Sequence, residues 1–202
     1  MRSFRISQND MLSHDSVEKS FLVPSRGKRS RPDVKAVLDN LEEEIRIVQE
    51  MLLNGEFTPT EHEAVKINER NYQKVRKIVK PDYKYEQVIH HVVVQAIRPG
   101  IETGMYEFVL GSIPGRGQHM GAKRIEKWIK TDPANTKYVL KMDIRHFFES
   151  VDHDILKAWL RKKFRDEFIL ELLFLIIDAI DMGLPLGYYT SQWFANFLLQ
   201  PL

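Results

Sequence analysis

A chain of 202 residues, 43% of them hydrophobic, is long enough for one large domain or two small ones. It contains no cysteine, which excludes a disulfide framework and a thiolate metal site and fits a reducing cytoplasm. The net charge of +2 says little about partners, so contacts with nucleic acid must be read from local clusters of Lys and Arg.

Residues 1–23 show no clear period and no apolar core of a signal peptide, and they are expected to be partly mobile. A basic run follows, with Arg26, Lys28, Arg29, Arg31 and Lys35 set around Pro24 and Pro32. Such a run serves either as a solvated linker or as an arm that contacts phosphates. The stripe Val34, Val37, Leu38, Leu41, Ile45, Val48 and Leu52 predicts one long helix over residues 33–53, ended by Asn54-Gly55. Residues 62–80 read as a β-hairpin. Val65 and Ile67 alternate with Lys66, the turn lies near Glu69-Arg70-Asn71, and the return strand runs over 72–79. On that strand Lys74, Arg76 and Ile78 share one face. Exposed basic strands usually serve only to discourage edge-to-edge pairing. Residues 85–97 are rich in β-branched side chains, yet Val88, Val92 and Ala96 recur at helical spacing, so strand and helix both remain open. The adjacent His90 and His91 point to different faces in either case, which makes them a poor metal pair and favours a structural role.

Gly115-Arg116-Gly117 is a cation flanked by glycines, a pattern that lets backbone approach a ligand closely and that also occurs in plain turns. Lys123, Arg124, Lys127 and Lys130, set around Ile125, Trp128 and Ile129, predict an amphipathic helix whose basic solvent face suits a nucleic-acid groove. The stretch YVLKMDIRHFFESVDH, residues 138–153, opens with a β-rich run (Tyr138, Val139, Leu140) that predicts a strand. That strand delivers Asp143, two aromatics follow, and Ser150 or Asp152 caps a helix with the face Ile155, Leu156, Trp159 and Leu160. An Asp after a strand is by itself more often a cap or turn residue, but an acid at a strand end beside an aromatic pair suits a metal-binding corner. Two helices are predicted over 152–164 and 166–180. The apolar run 168–180 within the second is too short to span a bilayer and reads as buried. Residues 183–187 break the chain, and a last helix buries Trp193, Phe194, Phe197 and Leu198.

These motifs, in this order, resemble those of bacterial reverse transcriptases, the RNA-directed DNA polymerases of group II introns, retrons and diversity-generating retroelements. D-I-x-x-F-F-x-x-V-x-H, over 143–153, is similar to that family's first catalytic motif. The resemblance implies that Asp143 and the backbone carbonyl of Ile144 bind catalytic Mg2+. It implies too that Phe148 lies beneath the incoming sugar and blocks a 2′-hydroxyl. K-x-R-x-I-x-x-P, over 74–81, is similar to the fingers hairpin. That implies a triphosphate grip by Arg76 and Lys74, with Lys66 as the alternative lysine, and a helix over 85–97. The G-R-G-x-H element over 115–119 resembles one that contacts template backbone, which assigns Arg116 and Gly117 to nucleic acid, with Lys123 and Arg124 lining the same groove. Leu186-Gly187-x-x-x-Ser191-Gln192 stands where most of the family has Gln-Gly-x-x-x-Ser-Pro. This variant is similar to that of diversity-generating retroelement enzymes and of abortive-infection-like phage-defence enzymes. It assigns Leu186 and Gly187 to the nucleotide and Ser191 and Gln192 to nucleic acid. Leu in place of Gln removes a polar contact to the nucleotide, which implies reduced fidelity.

The fold class so implied is α+β, a right-hand polymerase's fingers with an incomplete palm, helix-rich and carrying a fingers β-hairpin. Residues 1–60 would form an N-terminal basic arm and helix, 61–136 the fingers and 137–202 a partial palm. The implied activity is RNA-templated DNA synthesis, in which a primer 3′-hydroxyl attacks the α-phosphate of a dNTP. The implied partners are an RNA template, a DNA or RNA primer, dNTPs and an accessory protein of the host element, in the cytoplasm and with no membrane. The resemblance stops before the family's Tyr-x-Asp-Asp hairpin and thumb, and Asp-Asp occurs nowhere in the chain. Two-metal phosphoryl transfer needs carboxylates around ions roughly 4 Å apart. The chain alone is therefore expected to be inactive, as a truncated product or an incomplete gene. The alternatives are an inactive RNA-binding fragment and an untemplated phage-defence polymerase.

Overall fold

The computed structural model describes residues 2–60, 65–69 and 74–201, with the backbone alone described at 66–69 and 74–76. The described chain is helix-rich. In order it forms α1 (Gln8–Met11), α2 (His14–Ser25), α3 (Pro32–Asp39) and α4 (Leu41–Leu53). Strands β1 (Val65–Glu69) and β2 (Lys74–Ile78) come next, then a π-helical turn at Tyr83–Gln87 that runs into α5 (Val88–Glu102). α6 (Gln118–Thr131) follows, then a 3-10 turn at Phe148–Ser150, α7 (His153–Lys163), α8 (Glu167–Asp178) and α9 (Tyr189–Leu198).

α5 is the axis of the fold and packs against α1, α2, α8 and α9. Of the two readings open for residues 85–97, the helix is the one formed. Val88, Ile89, Val92, Val93, Ile97 and Ile101 are all buried. A helix apolar on nearly every side belongs inside a domain. Burying each such side chain is worth about 1.5–3 kcal/mol. The helix-propensity cost of a β-branched residue is at most about 0.7 kcal/mol, so burial decides.

Residues 2–23 are ordered, against the expectation of mobility. Ser13 caps α2, and Val17, Phe21 and Pro24 are buried at helical spacing. The buried face also carries Ser20 and Ser25, whose hydroxyls donate to Ser16 O at 2.9 Å and Leu22 O at 2.8 Å. Those two serines dilute the apolar period and hide the helix from sequence reading. Ahead of α1, Phe4 N donates to Lys163 O (2.7 Å) and Ile6 N to Asp166 Oδ2 (2.8 Å), strapping the N-terminus to the junction of α7 and α8.

The single helix expected over 33–53 is two helices. Asn40 leaves helical geometry at φ −124°, ψ 32°, and its Nδ2 donates to Ala36 O at 3.1 Å. Asn side chains compete with the backbone in this way and break helices. The hairpin is antiparallel, with Val65 opposite Ile78 and Glu69 opposite Lys74. Of the expected turn and return strand, Arg70, Asn71, Tyr72 and Gln73 lie outside the described residues.

The strand expected at Tyr138–Val139–Leu140 is not formed among the described residues. These side chains are 92%, 85% and 79% exposed. A strand is stabilised by ladder bonds and by burial of its faces, and neither is provided here. α7 and α8 start and stop within two residues of expectation. Asp152, not Ser150, is the α7 cap, its Oδ1 accepting from Ile155 N at 3.0 Å. On α7, Leu156 and Leu160 are buried, whereas Ile155 faces solvent. No helix among the described residues is long and apolar enough to cross a membrane.

Candidate nucleotide and nucleic-acid site

Three elements named separately from sequence are joined by backbone hydrogen bonds. Val79, which directly follows β2, donates its N–H to Leu186 O at 2.7 Å. Gly187 then lies flat on Val79, where an added Cβ would come within 1.9 Å of Val79 O. Its φ of +115° independently demands glycine. The start of the same loop is bonded to the corner that follows Asp143. Leu184 N donates to Phe148 O (2.6 Å) and Gly183 N to Val151 O (3.1 Å). His153 Nε2 donates to Gly183 O at 2.7 Å. Gly183 has φ +81°, and a Cβ there would meet Phe148 O at 2.7 Å. The root of the hairpin, Leu186–Gly187 and Phe148 thus form one connected surface. Lys74 and Arg76 occupy β2, opposite Glu69 and Ile67, and their side chains lie outside the described residues, as does that of Lys66.

Phe147 and Phe148 are half-buried, edge to face at 6.0 Å. Asp143 and Ile144, by contrast, sit on irregular exposed backbone, and Asp143 makes no hydrogen bond or ion pair among the described residues. The acids nearest in sequence are engaged elsewhere. Glu149 pairs with His146 Nδ1 at 2.5 Å, and Asp152 caps α7. No group of three or more His, Cys, Asp or Glu side chains able to hold a metal ion occurs among the described residues. Magnesium takes about six oxygen ligands in octahedral array. One carboxylate and one carbonyl do not fit a magnesium pair.

The second group of residues surrounds the loop over 103–117. Arg116 is half-buried, and its Nη1 donates to Glu107 O (3.1 Å) and Val109 O (3.3 Å). Around the flanking Gly115 and Gly117 no atom lies within 4 Å of where a side chain would grow, so the space is open. Asn196 Nδ2 on α9 donates to Gly111 O (3.0 Å), and Gln192 Nε2 donates to Asn196 Oδ1 (3.3 Å). This brings Gln192 beside the loop that carries Arg116. Ser191 is 2% exposed and its Oγ has no protein partner, so it offers no surface to nucleic acid.

On α6, Arg124 is committed to packing. Its guanidinium lies 4.4 Å from the Phe108 ring centroid and 5.5 Å from that of Trp128, and 3.7 Å from Glu107. Lys123 is exposed. The helix buries none of its residues, and Ile125, Trp128 and Ile129 face solvent alongside the lysines.

Sequence reading missed a buried polar cluster behind Gly187. Glu86 accepts from Thr60 Oγ1 (2.7 Å) and from Tyr188 OH (3.2 Å). Burial, then the Glu86 carboxylate, pushes the Tyr188 hydroxyl well above its ordinary range. His90 Nδ1 lies 2.9 Å from Thr190 Oγ1, and its ring meets Tyr188 edge-on at 4.5 Å. His91 stacks on Tyr189 at 3.9 Å, and burial, with the Lys28 charge adding to it, lowers its pKa to about 4. The two histidines therefore do point to different faces, and each has a packing role. The missed signal was spacing. Glu86 and His90 are four apart, on the same helical face as Val93 and Ile97, so two polar groups were written into a core stripe.

No family model matches the chain. It is similar to Protein YkfC of Escherichia coli (strain K12), 26% identical over 168 residues, which is 77% of this chain and 43% of that protein. The chain therefore spans less than half the length of this relative.

Proposed function

We propose that this chain is the fingers and part of the palm of a bacterial reverse transcriptase, and that it holds a dNTP and the RNA strand to be copied. The observation that supports the reading is the bonded path from Val79 through Leu186 and Leu184 to Phe148. It joins the hairpin, the Leu-Gly turn and the Phe corner, which the resemblance assigns to triphosphate, nucleotide and sugar. In this reading Arg76 and Lys74 meet the triphosphate, Phe148 excludes a 2′-hydroxyl, and Leu186 and Gly187 lie against the nucleotide. Arg116, Gln192, Lys123 and Lys127 flank the template. An A-form duplex is gripped through phosphates and 2′-hydroxyls, not base edges, which suits lysines and a glycine-flanked arginine. Asp143 contributes one carboxylate to metal binding. Because that is short of a two-metal set, the chain by itself is proposed to bind without polymerising.

Two measurements on the purified chain test this. RNA binding should be detectable at low salt and weaken steeply as salt rises, as counterion release requires. Lys123→Ala with Lys127→Ala should weaken it and lower the salt slope by about 2. Absence of binding at low salt would overturn the reading. Primer extension on poly(rA)/oligo(dT) with magnesium should yield no product. Product that disappears with Asp143→Ala would overturn the inactive assignment and leave the polymerase reading in place. In a protein that combines these residues with a full acid set, Phe148→Ala should lower the ratio of kcat/KM for dNTP over rNTP. An unchanged ratio with a lowered Tm would make Phe148 a core residue.

A further inference from the structure

Glu86 is 2% exposed, in the π-helical turn that runs into the buried helix α5. Burying a carboxylate costs several kcal/mol unless hydrogen bonds compensate. Packing alone would be served by Leu or Met. The carboxylate instead accepts from two segments remote in sequence, 26 and 102 residues away. Bonds to a charged acceptor are about twice as strong as neutral ones.

Where those two segments sit gives the carboxylate its meaning. Thr60 lies five residues before β1, and Tyr188 directly follows Gly187. The other root of the hairpin, Val79, is bonded to Leu186, two residues before Tyr188. The residue that follows β2 and the segment that ends at Thr60 are therefore both fastened to one short turn, the first through the backbone and the second through Glu86. His90, one helical turn beyond Glu86, holds the turn again through Thr190 and the Tyr188 ring.

We propose that Glu86 is a positioning residue, which locks the segment at Thr60, ahead of the hairpin, to the Leu186–Gly187–Tyr188 turn and so fixes the triphosphate grip relative to the sugar-facing turn. This rests on the reading of hairpin and turn as a nucleotide site. A hairpin held only where β2 ends pivots there, whereas one whose leading segment is held as well has less freedom to change its angle. Cations carried on β2 stay in line with a sugar over Phe148 only in the second case.

The chain lacks cysteine, so two introduced thiols label uniquely. Lys77→Cys on β2 and Asp181→Cys beside the turn are both exposed sites. Spin labels there report the hairpin-to-turn distance by double electron–electron resonance, and titration with dTTP and magnesium reports nucleotide affinity. Tyr188→Phe removes the hydroxyl that bonds Glu86, with little change in volume. Glu86→Gln keeps side-chain groups able to bond both hydroxyls. The distance distribution should be narrow in the parent and in Glu86→Gln, and at least twice as wide in Glu86→Ala and Tyr188→Phe. Affinity for dTTP should fall about tenfold in the two widened variants and be retained in Glu86→Gln. If Glu86→Ala does not fold, Tyr188→Phe decides. A distribution that stays narrow in folded Tyr188→Phe and Glu86→Ala overturns the lock and leaves the nucleotide reading standing. A parent chain that holds no dTTP overturns the nucleotide reading, and with it the role given to the lock.

Discussion

α5 and α6 are helices of 15 and 14 residues, both carrying apolar side chains, and they end in opposite environments. α5 carries ten buried residues and α6 none. α6 nonetheless has an apolar stripe of Ile125, Trp128 and Ile129, and Tyr138, Val139 and Leu140 soon after it are more exposed still. The comparison teaches that an apolar stripe states a requirement for a partner and not whether the fold supplies one. α5 meets α2, α8 and α9, whereas α6 meets the loop before it through Arg124 and Trp128, both packed on the Phe108 ring.

Substitutions of one residue type on the two helices make the comparison measurable. Ile97→Ala in α5 should cost about 2–5 kcal/mol, because it leaves a cavity in a close-packed core, and would be read as a lower urea midpoint at unchanged slope. If it costs less than about 1 kcal/mol, the α5 environment is looser than its burial indicates.

Acid should find α5 next. His91 is held neutral with a pKa of about 4, below the ordinary 6.5. Between those values the unfolded chain binds the proton and the folded chain does not. Stability is therefore complete above about pH 6.5 and declines as pH falls toward 4, by at most roughly 3 kcal/mol. His91→Phe should keep the stack on Tyr189 and flatten that window in a series of melts. An equally steep decline in the variant would place the acid sensitivity elsewhere.

Smaller effects belong to helix ends and to α6. Asp152→Ala removes the α7 cap and should cost about 1 kcal/mol, lowering the midpoint of thermal unfolding without changing RNA affinity. Ile129→Ala should change stability by less than about 0.5 kcal/mol. A loss comparable to that of Ile97→Ala would mean that the α6 stripe is covered in solution.

Much of the helical framework was legible because its causes are local. The boundaries of α7 and α8, the Asp152 cap and the hairpin strands follow from spacings of two to four residues and from the chemistry of one side chain. Local reading failed where polar residues took core positions. Ser20 and Ser25 concealed α2, and Asn40 divided a helix whose stripe runs straight through it. Within the candidate site, the sequence named the hairpin, the Phe corner and the Leu-Gly turn one by one.

What the sequence by itself determined is the local framework of α7, α8 and the hairpin strands, and which side chains carry charge, since these depend on neighbours within about a turn of backbone. Tertiary structure alone decided how those segments were used. It set Gly187 against Val79, tied Arg116 to the carbonyls of Glu107 and Val109, and left Tyr138–Val139–Leu140 without a ladder. It also placed Glu86 against Tyr188, 102 residues away. Burial and pairing are properties of two surfaces meeting, and each half of such a contact reads the same in sequence whether or not the other half arrives.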